Sequence, residues 1–127
     1  MKNQLYRSII ENYIEAYNTF DIDRMLRDMH ENVRFENISG GEVSLITNGI
    51  DELRNQAKKA IQLFRKREQK VLDMQFEDNC VEIQIDYKGI LAVDLPEGLK
   101  AGDRIELKGK SVFTFRDNKI IELKDLS

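Results

Sequence analysis

The chain has 127 residues, 34% of them charged, and a net charge of −3; this acidic balance argues against nucleic-acid and anionic-membrane partners. Its one cysteine, Cys80, excludes an internal disulfide framework and a cysteine metal cluster, and no apolar run approaches the ~20 residues of a membrane span. The length suits one domain over residues 1–127, and the N-terminus shows helical periodicity in place of a signal-peptide apolar core, so a soluble cytoplasmic protein is expected.

A first helix is predicted over residues 3–20. Leu5, Ile9, Ile10, Tyr13, Ile14, Ala16, Tyr17 and Phe20 fill one arc at ~100° per residue, with Tyr6, Tyr13 and Tyr17 near its middle. Core tyrosines or hydroxyls lining a cavity both fit that arc. Asp21 can cap a short second helix whose inner face is Ile22, Met25, Leu26 and Met29. His30, the only histidine, then reads as a C-terminal cap rather than a catalyst. Val33-Arg34-Phe35-Glu36-Asn37 alternates as a half-buried strand, placing Val33, Phe35 and Asn37 on the face toward Tyr13. A Ser39–Glu42 loop and a short strand over Ser44–Thr47 follow.

Asn48 is the expected cap of a third helix that buries Ile50, Leu53, Ala57, Ala60, Ile61 and Phe64. Lys58, Lys59, Arg65, Lys66, Arg67 and Lys70 form a basic cluster there, read as a solvated face because no aromatic residues interleave for base stacking. From Val71 onward only strands are predicted. Asp78-Asn79 is a two-residue hairpin signal that sets Phe76, Met74 and Leu72 opposite Val81, Ile83 and Ile85. The next hairpin, centred near Leu99, would put Gly89 opposite Gly109 and Tyr87 opposite Ser111. A three-residue turn at Asp117-Asn118-Lys119 would lay Ile121 and Leu123 beside Phe115 and Phe113. The implied fold class is α+β: a cone-shaped, bent antiparallel sheet packed on three helices from the N-terminal half.

This arrangement resembles the nuclear transport factor 2-like superfamily, which has a cystatin-like fold, and within it the SnoaL-like and ketosteroid-isomerase-like domains. The resemblance rests on the order and spacing of five stretches: Tyr13–Tyr17, Asp21–Met25, Asn32–Asn37, Asn48–Leu53 and Phe113–Ile120. It implies that Tyr13 is the first-helix oxyanion donor, that Asn37 stands where isomerases keep a carboxylate base, and that Ser111 stands where they keep a protonated aspartate; ketosteroid isomerase is itself a standard illustration of that pairing. An amide cannot accept a proton at neutral pH, so isomerase chemistry is expected to be weak or absent. Glu36 lies on the opposite strand face and does not substitute.

The expected site is an apolar pocket of Tyr13, Tyr17, Met25, Phe35, Asn37, Phe64, Ile83, Tyr87, Ser111 and Phe113, with Tyr13, Asn37 and Ser111 as catalytic candidates. No metal and no cofactor is expected. The first functional expectation is binding of a small apolar ligand. The alternatives are an isomerase, cyclase or dehydratase acting on a small carbonyl compound, or a non-catalytic assembly domain using the outer sheet face. The resemblance also implies a homodimer.

Overall fold

Residues 2–127 are described by the structure, a computed structural model. Helix α1 (Lys2–Asn18) is amphipathic and buries Tyr6, Ile9, Ile10, Tyr13, Ile14 and Ala16. Asp21 caps α2 (Ile22–Leu26) by accepting the Arg24 N–H at 3.2 Å. Helix α2 stops short of Met29, which instead opens β1 (Met29–Ser39), because the Asp28 carbonyl is taken by the Ile120 N–H at 2.9 Å. His30 is therefore a strand residue and not a helix cap; its Nδ1 accepts the Asn32 N–H at 3.0 Å.

The predicted return strand is β2 (Glu42–Asn48). Asn48 ends it, so the cap of α3 (Ile50–Ile61) falls on Gly49, at φ 86°, and not on Asn48. A side chain at Gly49 would be strained in that left-handed region. The Glu52 carboxylate reaches back to the Asn48 N–H at 2.9 Å. Helix α3 ends before Phe64, and β3 (Phe64–Glu77) begins seven residues earlier than predicted. The remaining strands are β4 (Cys80–Leu91), β5 (Arg104–Arg116) and β6 (Lys119–Leu126).

The six strands form one curled sheet in the order β2-β1-β6-β5-β4-β3. Every neighbouring pair is antiparallel except β1 and β6, which run parallel, so the sheet is mixed rather than wholly antiparallel. The four-strand meander β3–β6 ends beside β1 instead of at an edge, which leaves only β2 and β3 as edge strands.

Three registers differ from expectation. Phe76 and Met74 face Val81 and Ile83 as predicted, but a bulge between Val71 and Asp73 gives Val71 the place opposite Ile85. Leu72 is extruded and 51% exposed. In the β4–β5 hairpin Tyr87 faces Leu107, Gly89 faces Ile105, Ile85 faces Gly109 and Ile83 faces Ser111, a slip of four residues from the predicted pairing. The hairpin closes where the Leu91 N–H meets the Asp103 carbonyl at 3.0 Å and the Gly102 N–H meets the Leu91 carbonyl at 2.8 Å. An even slip leaves every side chain on its predicted face.

The two glycines then serve separate contacts. A Cβ at Gly89 would lie 2.9 Å from the Phe64 ring, and one at Gly109 would lie 2.6 Å from the Leu126 carbonyl oxygen. The last turn is the two-residue Asp117-Asn118, with φ 54° and 61°, as a type I′ hairpin requires. Phe115 faces Ile120, and a bulge restores Phe113 opposite Leu123.

The helices pack on the concave face, where Ile10, Val33, Val81, Ile83, Phe113, Ile120 and Leu123 are fully buried. Tyr6 stacks on Phe115 at 3.9 Å between centroids and 7° between planes, so it is a core tyrosine. On the convex face charges alternate across strands: Lys88 lies between Glu68 and Glu106, and Asp86 lies between Lys70 and Lys108, pairings that favour the sheet within one chain. No helix among the described residues is long and apolar enough to cross a membrane.

Asn18 ties the end of α1 to edge strand β3. Its side chain accepts the Gln69 N–H at 2.8 Å and donates to the Gln69 carbonyl at 3.1 Å, as a neighbouring strand would. Asn18→Ala leaves both groups without a partner and is expected to cost roughly 1–3 kcal/mol in urea unfolding.

Candidate functional site

A cavity of about 430 Å³ lies between α1, α3 and the concave sheet. Seven residues expected at a pocket reach its wall: Tyr13 and Tyr17 from α1, Met25 from α2, Phe35 and Asn37 from β1, Phe64 from β3 and Tyr87 from β4. The other three do not. Ile83 and Phe113 are wholly buried in the core and Ser111 is 1% exposed. These three are packed into the sheet behind the cavity, because the inner sides of β4 and β5 are covered by α1 at that height.

The wall also holds residues outside the expected set, among them Arg67, Gln69 and Asp125. Asp125 lies on β6, with Asn37 of β1 on one side and Ser111 of β5 on the other. The Ser111 Oγ donates to Asp125 Oδ1 at 2.7 Å. Ser111 is thus a support for a carboxylate and not a donor to a ligand. Burial pushes the Asp125 carboxyl up to about 6, against the opposing pull of the Ser111 hydrogen bond.

The cavity wall thus carries an acid on β6, between positions 37 and 111. Asn37 itself is held at the rim, its Nδ2 donating to Ser44 Oγ at 2.8 Å and Ser39 Oγ at 3.3 Å. Glu36 points to the other sheet face, paired with Arg34 at 2.7 Å and Lys124 at 3.9 Å. Asn37→Asp would set a second carboxylate beside Asp125. Like charges cannot both ionise cheaply, so the pair is expected to titrate with one apparent pKa above that of Asp125 alone, followed by carboxyl NMR.

Three tyrosines face the cavity. The Tyr17 hydroxyl donates to the Tyr87 hydroxyl at 3.1 Å, and the Tyr13 ring meets Phe113 edge-on at 5.7 Å. Burial raises all three hydroxyls above the usual tyrosine range, and the charge of Asp125 adds to this at each. They remain protonated at neutral pH and serve as hydrogen-bond donors.

Arg67 is only 3% exposed, not part of a solvated basic face. The early start of β3 and the bulge at Leu72 put Arg67, Gln69 and Val71 on the inner side. Its Nε donates to the Tyr17 carbonyl at 2.9 Å, and its guanidinium lies 3.6 Å over the Tyr17 ring and 4.9 Å from the Phe20 ring centre.

The arrangement pairs one carboxyl poised to take or give a proton with fixed O–H donors able to stabilise a developing oxyanion. Among the described residues no group of three or more histidine, cysteine or acidic side chains converges to hold a metal ion.

No curated protein matches the sequence. A proposed polyketide cyclase from Xanthomonas campestris pv. campestris superposes with a TM-score of 0.81 at 20% identity, covering 100% of this chain and 93% of that one. A proposed SnoaL-like polyketide cyclase from Jannaschia sp. CCS1 gives 0.82 at 15% identity, covering 96% and 84%. A nuclear transport factor 2-like protein of unknown function from Burkholderia pseudomallei K96243 gives 0.78 at 14% identity, covering 95% and 88%. At these identities the likeness shows a shared fold, the nuclear transport factor 2-like cone. The family profile described as a SnoaL-like domain matches residues 10–123, and the chain therefore belongs to the SnoaL-like domain family.

Proposed function

We propose that the cavity binds a small, largely apolar carbonyl compound and that Asp125 moves a proton on it, making the protein an isomerase, cyclase or dehydratase. The observation that carries this reading is one side-chain carboxyl on the cavity wall, held by Ser111 and pushed up to about 6 by burial. A base poised near the working pH is what carbon-acid chemistry requires. In the forward step the Asp125 carboxylate takes a proton from the carbon beside the carbonyl. The bonding electrons move onto the carbonyl oxygen, and a tyrosine hydroxyl donates a hydrogen bond to the resulting enolate. The protonated Asp125 then returns its proton to another carbon, or to a leaving hydroxyl.

That two structural neighbours are described as proposed polyketide cyclases agrees with this chemistry by analogy of fold. Simple ligand binding without catalysis, the first expectation from sequence, leaves the placement of Asp125 unexplained. Pairing of two copies through the convex sheet face is a separate proposal, tested by light scattering.

The reading is tested by deuterium incorporation from D₂O into a panel of small enolisable ketones, followed by proton NMR. The expected result is protein-dependent exchange with a rate that rises through pH about 6. No exchange across the panel, or exchange with no such pH dependence, contradicts it.

A further inference from the structure

Arg67 has no part in the proton transfer just described, yet it is one of the most constrained side chains in the molecule. It is 3% exposed, and among the described residues no carboxylate lies within ion-pairing distance of it. A buried guanidinium without a counter-ion is costly, so its retention calls for a partner that arrives from outside.

The charge is held in place by three contacts. Nε is fixed to the Tyr17 carbonyl, the Tyr17 ring stacks on the guanidinium, and Phe20 lies on it as well. Phe20 closes the C-terminus of α1 at φ 60°, a left-handed conformation that a bulky residue adopts only under constraint. Nη2 has only the weak Met25 Sδ contact at 3.8 Å, and Nη1 makes no hydrogen bond with the described residues, while Arg67 lines the cavity.

Two residues along β3, on the same face, stands Gln69. It is 5% exposed, lines the same cavity, and its Oε1 is buried without a hydrogen-bond partner. The β3 wall thus offers an unneutralised planar cation, with a buried amide oxygen beside it, next to the Tyr17–Tyr87 hydroxyl pair. No ion pair joins Arg67 to Asp125 across the cavity.

We infer that Arg67 is a counter-ion site for a planar, delocalised oxyanion on the ligand, so that the compounds the cavity accepts are acidic carbonyl compounds bound as anions. This rests on the proposed ligand-binding role of the cavity and names the substrate class within it. A carboxylate and the ionised enol of a β-diketone share the required chemistry. A carboxylate presents two coplanar oxygens to the guanidinium fork, and the ionised enol of a cyclic β-diketone presents one oxygen of a delocalised pair; each has an apolar body for the aromatic and aliphatic wall.

The test compares acids with neutral isosteres by calorimetry, at a pH where the acids are ionised: cinnamate against cinnamamide, and dimedone against its enol methyl ether. The wild type is expected to bind at least one anion about tenfold or more tighter than its isostere. Preference for cinnamate alone identifies a carboxylate, and for dimedone alone an enolate. Arg67→Met is expected to abolish the preference while retaining the neutral compounds, and Arg67→Lys to keep part of it.

Equal affinity for acid and isostere in the wild type overturns the inference and leaves the proposed proton transfer standing. So does a preference that survives Arg67→Met. Failure of every probe to bind removes the ligand-binding reading and this inference together. The wild-type comparison needs no substitution, so it decides the matter even if Arg67→Met fails to fold.

Discussion

Asp125→Asn is expected to lower the rate of α-proton exchange by roughly 10²–10⁴-fold, the usual contribution of a positioned general base, and at the same time to make the protein more stable at neutral pH. The second effect follows from the direction of the titration. Burial raises the folded-state pKa of Asp125 from 3.8 to about 6. Between those values the folded chain binds more protons than the unfolded chain, so stability falls as pH rises through the window. Above it the ionised carboxylate costs up to about 3 kcal/mol. Asparagine carries no charge and can still accept the Ser111 hydroxyl. The variant should therefore melt higher than the wild type at pH values above the window, and the advantage should vanish below about pH 4. Thermal scans across pH check this. A catalytic loss accompanied by lower stability at neutral pH would show that Asp125 is a structural ion and not a strained functional one.

Phe113→Ala is expected to cost about 3–5 kcal/mol in denaturant unfolding, as truncation of a fully buried aromatic does. Phe113 has no exposed surface and supports the Tyr13 ring edge-on at 5.7 Å. Its loss removes the backing of Tyr13 as well as core volume. Phe113→Leu restores most of the volume but not the ring edge. It should recover most of the stability while leaving exchange activity reduced, because Tyr13 is then held less firmly. Equal recovery of stability and activity would mean that Phe113 only fills space.

The fold was legible because most signals were local. The α1 arc, the Asp21 cap, the alternation at Val33–Asn37 and the Asp78-Asn79 turn each specify their element from adjacent residues. Pairing registers were less legible. The turn between Leu91 and Arg104 is closed by backbone bonds of Leu91, Gly102 and Asp103 that no side-chain pattern announces.

The candidate site was half legible. Tyr13, Tyr17, Phe35 and Asn37 follow from helix and strand phase. Asp125 shares the phase of Leu123, two residues before it, and an acid in the inward phase of the last strand was an available signal. Arg67 and Gln69 were hidden by the bulge at Leu72. Counting back from Leu72, Met74 and Phe76 points Arg67 outward, and one extra residue reverses the parity of everything before it.

The role of Asp125 is tested by its pKa in the free protein, read from the side-chain carboxyl carbon by NMR across pH and assigned by its absence in Asp125→Asn. A midpoint near 6 is expected. A midpoint close to the ordinary aspartate value would mean that the carboxyl is solvated and ionised throughout, and would contradict its role as the group that takes and returns the proton.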